Sequence, residues 1–146
     1  SVTFTPTSTG AKSATLAVNV GAPATSVTVT LAGSTPAPVL ALNPASVAFG
    51  NVTRGQTSTT TSVAVSNTGT ASMSITSITL TGTNANQFSI ASNTCGASLA
   101  AGATCTVGVR FTPTAGTATG NKSASLSVAV GAPATSGTVA LTGRAQ

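Results

Sequence analysis

Apolar residues alternate with serine and threonine along most of this chain, in stretches such as "SVAVS" at residues 62–66 and "SITSITLTG" at residues 74–82. A period of two places successive side chains on opposite faces of a β-strand, and valine, isoleucine and threonine favour strands. No segment has the period of about 3.6 residues that is typical of a helix. The pattern predicts an all-β fold, an antiparallel β-sandwich of about seven short strands, over residues 40–146.

The chain also contains an internal repeat. The tetrapeptide "FTPT" at positions 4–7 recurs at positions 111–114, and "GAPATS" at positions 21–26 recurs at positions 131–136. In the alignment set by the second motif, Leu31 and Gly33 fall on Leu141 and Gly143. Residues 1–33 are therefore predicted to be the closing strands of a preceding sandwich, of which residues 40–146 are a complete copy. The segment "STPAPV" at residues 34–39 is predicted to be an extended, semi-rigid linker between them.

The segment 1–33 supplies three predicted strands, "SVTFTP", "SATLAVNV" and "SVTVTLAG". Three strands expose an apolar face and an unpaired edge, which a folded protein normally covers. We expect the missing strands to come either from sequence ahead of this segment or from a neighbouring subunit through strand addition. The side chains expected to form this assembly surface are Val2, Phe4, Leu16, Val18, Val20, Val27, Val29 and Leu31.

Catalysis is not expected, because the chain contains no Asp, Glu, His, Trp or Tyr and only five charged side chains. This removes the usual general acids and bases together with the carboxylate and imidazole ligands of metal ions. The composition therefore predicts that the protein is not an enzyme and binds no cofactor or metal. Stability is also expected to depend little on pH over the mild range, because few groups titrate there.

The net charge of +5 does not predict a nucleic-acid partner. Its five cations are well separated, and four phenylalanines make no platform for stacked bases. No apolar stretch approaches the roughly 20 residues that a membrane-spanning helix needs. The sequence also has no recognisable targeting leader. The expected cellular location is therefore inferred from the two cysteines.

Cys95 and Cys105 are the only two cysteines. Without histidine or further cysteines they cannot complete a four-ligand zinc site, and without a nearby base neither is a plausible nucleophile. A disulfide that closes the intervening loop is the favoured prediction, worth about 2–3 kcal/mol in the chain-entropy model. Such a bond implies an oxidising compartment, which makes the expected location extracellular or cell-surface.

Two tripeptides match the N-glycosylation sequon, at Asn51 and at Asn121, and a weaker match containing cysteine begins at Asn93. Matches of this length arise often by chance in a chain so rich in threonine. Glycans on these residues, or O-linked to serine and threonine, are compatible with the sequence but are not established by it.

Several longer stretches resemble the immunoglobulin-like repeat of the hydin and abnormal-spindle type, which occurs in bacterial surface and secreted proteins as the "choice-of-anchor D" repeat. The most specific are "FGNV" at residues 49–52, "SNTG" at residues 66–69, the segment from Cys95 to Cys105, and "FTP" at residues 111–113. The resemblance implies a seven-stranded immunoglobulin-like sandwich that serves as a building or docking module.

These observations favour a structural function. We expect a subunit or tandem repeat of an extracellular filament or surface stalk, assembled head to tail from copies of itself or adjacent repeats. One alternative is an adhesin or carbohydrate-binding module, although sugar sites usually rely on aromatic and acidic residues that this chain lacks. The other alternative, an intracellular docking domain of the ciliary or centrosomal type, is disfavoured by the cysteine pair.

Overall fold

A computed structural model describes residues 1–146, which form two compact units, unit 1 (Ser1–Ala37) and unit 2 (Pro38–Gln146). Unit 1 is a hairpin of two antiparallel strands, β1 (Gly10–Val18) and β2 (Val27–Thr35). The two strands pair in unbroken register, from Gly10 opposite Thr35 to Val18 opposite Val27. Strand β2 thus extends into the start of the segment expected to be linker.

The strand expected over "SVTFTP" does not form, and this prediction was wrong. In unit 2 the equivalent residues end a strand that is hydrogen-bonded on both sides. Unit 1 contains only two strands, so the first residues of the chain have no neighbour with which to form a ladder. Alternation alone predicts a strand, but backbone donors and acceptors need partners before one forms.

Unit 2 confirms the predicted all-β sandwich. The strands of unit 2 are β3 (Leu40–Asn43), β4 (Ser46–Val52), β5 (Thr61–Asn67), β6 (Met73–Thr81), β7 (Phe88–Asn93), β8 (Ser98–Leu99), β9 (Thr104–Phe111), β10 (Gly120–Val130) and β11 (Gly137–Ala145). They form two sheets, one of five strands in the order β4-β11-β10-β6-β8 and one of four in the order β3-β5-β9-β7. A 3₁₀ turn at Ala85–Gln87 precedes β7.

The start of unit 2 departs from a purely antiparallel layout. Strand β3 pairs with β5 in one sheet, whereas β4 pairs with β11 in the other, and the β4–β11 pair is parallel. Pro44 lies between β3 and β4, and proline cannot donate to a ladder. The chain therefore leaves the first sheet at this point, and its continuation adds to the edge of the second.

The core lies between the two sheets and follows the alternation of the sequence. Every second residue is buried along β11, from Val63 to the end of β5, and from Ala124 to Val128 in β10. Three aromatic rings, those of Phe49, Phe88 and Phe111, pack together at one end, with centroids 4.8–6.2 Å apart. The fully buried aliphatic side chains are Val63, Val65, Met73, Val107, Val109, Leu126, Val128, Val139 and Leu141.

One polar side chain, Asn67, is completely buried at the end of β5. Its Oδ1 accepts hydrogen bonds from the backbone N–H groups of Val39 at 3.2 Å and Gly69 at 3.1 Å. Its Nδ2 donates to the carbonyl oxygens of Ala71 at 2.8 Å and Leu99 at 3.0 Å. Asn67 thus connects the entry of the chain into unit 2 with the turn after β5 and the end of β8.

Candidate assembly surface

The predicted assembly residues lie together on unit 1, where most of them are exposed. Residues that face each other across an antiparallel pair project to the same side of the sheet. Leu16 lies opposite Val29, and Val18 lies opposite Val27. These four side chains are 40–56% exposed. We call the side of the hairpin that carries them the open face.

The first residues of the chain lie along this same face. Val2 and Phe4 line a groove of about 480 Å³ together with residues of β1 and β2, including Ala14 and Leu31. The Phe4 ring covers Gly33 so closely that a Cβ atom there would lie 2.8 Å from ring carbon Cε2. Of the remaining predicted residues, Leu31 is half-buried, and Val20 lies between the strands, where its N–H bonds to Ser26 Oγ at 3.2 Å.

Unit 2 contains a closed counterpart of this hairpin in β10 and β11. The counterpart pairs in the same register, from Gly120 opposite Ala145 to Val128 opposite Gly137. The link between its strands is also held in the same way, by a hydrogen bond of 3.0 Å from Val130 N–H to Ser136 Oγ. The Phe111 ring covers Gly143 as the Phe4 ring covers Gly33.

The two hairpins differ in what covers them. In unit 2 the side chains of Leu126, Val128, Val139 and Leu141 are fully buried. Their counterparts in unit 1 are Leu16, Val18, Val29 and Leu31, of which the first three are 40–49% exposed. Phe111 is likewise fully buried, whereas Phe4 is 53% exposed. The open face therefore carries the side chains of a sandwich interior without the opposing sheet.

Alanine substitutions at the two covered glycines are expected to have unequal effects. A Cβ atom at Gly143 would lie 2.5 Å from Phe111 Cδ1, and Phe111 is enclosed on all sides. Gly143→Ala should therefore lower the free energy of unfolding by about 1–3 kcal/mol, as overpacking does. Gly33→Ala is the matched control, since the exposed Phe4 ring can move away. Urea unfolding followed by circular dichroism measures both, and equal losses would contradict the assignment of one open and one closed hairpin.

The structure confirms the predicted disulfide between Cys95 and Cys105, whose Cα atoms are 5.1 Å apart. Cys105 lies in β9 and is buried, while Cys95 follows β7, the neighbouring strand. The bond therefore closes the β7–β9 connection beside the core. Beside it, the Thr106 N–H donates to Thr94 Oγ1 at 2.9 Å, and Thr94 Oγ1 donates to the Thr106 carbonyl oxygen at 3.2 Å, which continues the pairing.

Reduction of this disulfide is expected to lower the free energy of unfolding by about 2–3 kcal/mol, because the unfolded chain regains the entropy of the open loop. Urea titrations with and without dithiothreitol test this expectation. A Cys95→Ser, Cys105→Ser double variant serves as the control and should unfold at the same urea concentration in both buffers. Unchanged stability of the reduced parent chain would show that the connection is held by its hydrogen bonds alone.

The candidate glycosylation residues lie on the outer surface of unit 2. Asn51 on β4 and Asn121 on β10 are exposed and stand on either side of Arg144 in adjacent strands. Asn93, the weaker candidate, is also exposed, but its Oδ1 accepts a hydrogen bond of 2.9 Å from the Cys95 N–H. The structure thus brings Asn51 and Asn121 into one shallow groove and leaves Asn93 elsewhere.

Asn67 is the important residue whose role the sequence did not reveal. The tetrapeptide that contains it marks the family resemblance, but nothing in its spacing indicates a buried amide with four partners.

The helical segment of the structure is a single short turn, and no helix has the length or hydropathy to cross a membrane.

Unit 2 consists of two mainly antiparallel sheets that pack around a core of valine and leucine, with a disulfide beside that core. These features define an immunoglobulin-like repeat module. The family model of the ASH domain, described as "Abnormal spindle-like microcephaly-assoc'd, ASPM-SPD-2-Hydin", matches residues 38–131, which include β3 to β10. The chain belongs to this family. The resemblance found in the sequence is thereby confirmed.

A solved structure shares the fold at low sequence identity. A protein of unknown function from Porphyromonas gingivalis W83 is similar at 12% identity and a TM-score of 0.55, over 97% of this chain and 68% of that one. The VesB protease of Vibrio cholerae is similar over 73% of this chain and 31% of its own, at 20% identity and a TM-score of 0.44.

The secreted serine protease VesC of Vibrio cholerae is similar over 68% of this chain and 21% of its own, at 20% identity and a TM-score of 0.42. The search of curated proteins found no similar sequence.

Proposed function

We propose that this chain is a structural repeat of an extracellular filament or cell-surface stalk, without enzymatic activity, that assembles head to tail by β-strand complementation. The observation that carries the proposal is the open face of unit 1, which repeats the side chains that the β10–β11 hairpin buries in unit 2. Exposed apolar faces of this kind are typical of surfaces that bind another protein. The expected partners are adjacent repeats of the same type.

The chemistry of the chain supports a passive role in an oxidising environment. A disulfide beside the core is stable outside the cell and rare in reducing compartments. Several surface hydrogen bonds are between neutral hydroxyl groups, such as Ser66 Oγ to Thr104 Oγ1 at 2.7 Å and Ser72 Oγ to Ser98 Oγ at 2.9 Å. These bonds do not depend on protonation, which suits a module exposed to varying surroundings.

The proposal is tested by locating the protein on the cells that produce it. Immunogold electron microscopy with an antibody against unit 2 should place label at regular intervals along filaments or stalks outside the cell. Alkylation of the native protein, followed by mass spectrometry, should find no free thiol at Cys95 or Cys105. Label confined to the cell interior, together with two alkylated cysteines, would instead favour the intracellular docking alternative.

A further inference from the structure

The open face of unit 1 has a counterpart in the same chain, and the counterpart identifies the kind of surface that covers it. In unit 2 the β10–β11 hairpin packs against residues 38–113, which contain β3 to β9 and which we call the body. The body covers the apolar face of this hairpin and also supplies a strand that pairs with each of its two edges. Strand β6 pairs with β10, and β4 pairs with β11. Both edges of the unit 1 hairpin are unpaired.

The residues on the open face match those of the closed hairpin more closely than the residues on the other side do. Over the paired residues of β1 and β2, eight of the ten positions that project to the open face have the same residue at the aligned position of β10 or β11, and only Val27 and Thr35 differ. On the opposite side, six of the eight positions from Ala11 to Ala17 and from Thr28 to Ser34 differ. The shared residues of the open face are Gly10, Lys12, Ala14, Leu16, Val18, Val29, Leu31 and Gly33.

A complete second copy of this chain cannot cover the open face in this way. Its β4 and β6 edges already carry its own β11 and β10. Exchange would cover one hairpin and uncover an equivalent one, so that no apolar surface would be buried in total. The partner must therefore be a body that lacks its own closing hairpin.

One position on the hairpin restricts which bodies fit. Val27 occupies the place that Gly137 has in unit 2. A Cβ atom at Gly137 would already lie 3.0 Å from Leu42 Cδ1 and 3.3 Å from Leu40 Cδ2. A valine adds two methyl groups beyond this Cβ and crowds leucines of this kind, which must shift to accommodate it, and overpacking of that sort is destabilising. The body that fits without such shifts has smaller side chains on its first strand.

From these observations we infer that unit 1 is the closing hairpin of a second ASH-type sandwich, whose body lacks its last two strands and has residues smaller than leucine where this chain has Leu40 and Leu42. The inference rests on the proposed strand complementation and identifies the partner that unit 1 would complement. Strand β1 then pairs with the partner's counterpart of β6, and β2 runs parallel to its counterpart of β4. Residues 1–4 continue its counterpart of β9.

A fusion tests this directly. A second body, residues 38–107, is placed ahead of the full chain, so that residues 1–4 follow it as residues 108–111 do in unit 2. Ser1 is changed to glycine, because a Cβ atom at Gly108 would lie 2.8 Å from Thr60 Cγ2. Two versions of the added body are compared, one with Leu42 and one with Leu42→Ala. A third carries Val63→Ser and Val65→Ser in the added body and is the control that cannot form a core.

Amide hydrogen exchange of β1 and β2 is the measurement, since closure of a sandwich protects strands that open freely in a hairpin. The added body should slow this exchange roughly a hundredfold, and Leu42→Ala in it should slow exchange by about a further tenfold. The control body should have no effect. Unchanged exchange with both intact bodies would overturn the inference, and faster exchange with Leu42→Ala than with Leu42 would overturn the size restriction.

The unfused chain provides the remaining comparison. Its β1 and β2 amides should exchange at the same rate in dilute and concentrated solution, because a complete copy does not cover them. Slower exchange at high concentration would show that copies do bind there and would overturn the exclusion of a complete partner. These results are independent of the immunogold experiment. A failed fusion with labelled extracellular filaments refutes only the named partner, whereas a closed fusion with intracellular label refutes only the proposed function.

Discussion

Replacing Leu126 with alanine is expected to lower the free energy of unfolding by about 2–5 kcal/mol, whereas the same replacement at Leu16 should change it by less than about 0.5 kcal/mol. The two leucines occupy equivalent positions, opposite Val139 and Val29 respectively. Leu126 is fully buried, so its removal leaves a cavity, but Leu16 is 40% exposed and water can fill the space. The comparison holds the residue type and the local strand pairing constant.

Urea unfolding monitored by circular dichroism gives both values. Leu126→Met serves as a control for packing and should cost less than about 1.5 kcal/mol, because the volume is nearly conserved. A loss at Leu16 as large as that at Leu126 would mean that the open face is covered in the isolated chain, which would contradict the description of unit 1.

The replacement Asn67→Ala is expected to lower the free energy of unfolding by about 2–4 kcal/mol, since it leaves two partly buried N–H groups and two carbonyl oxygens without their partner. Its effect should exceed that of Ser66→Ala, the adjacent control, whose hydroxyl bonds only to the exposed Thr104. Urea midpoints and slopes measure both. A small loss at Asn67 would show that water replaces the amide at the end of β5.

Asn67→Asp adds a test that this composition makes unusually clear. A buried carboxylate would face the carbonyl oxygens of Ala71 and Leu99, so its folded-state pKa should rise above the ordinary value of about 4. The folded protein then binds a proton more tightly than the unfolded chain. Stability should therefore be lowest at neutral pH and increase as the pH falls towards about 4. Because the parent chain has no Asp, Glu or His, its own curve should stay flat over that range.

The sequence predicted the sandwich because two kinds of information in it are local. Alternation at residues 62–66 and 74–82 located β5 and β6 to within a few residues. The disulfide followed by elimination, because only two cysteines are present. The repeated motifs align the two hairpins from the sequence alone, and the structure has the same alignment in their registers.

What the sequence did not predict depends on neighbours. "SVTFTP" alternates as "VGVRF" does, yet only the latter is a strand, because β5 and β7 lie beside it. The parallel placement of β4 depends on which edge is free once β11 has formed. The role of Asn67 arises from four backbone groups that lie far apart in the chain. Alternation is the same in covered and uncovered hairpins, so the exposure of the open face was predicted from the internal repeat, which indicates that the other strands of that sandwich are missing, and not from alternation.

The parallel pairing of β4 with β11 has a mechanical consequence for a module strung between two neighbours. These two strands lie near opposite ends of unit 2 in sequence, and both run in the same direction. A force that draws the two ends of unit 2 apart therefore slides β4 along β11 and loads their hydrogen bonds side by side, not one after another. Rupture requires these bonds to fail together. The pairing of β4 with β11 therefore resists tension by shear.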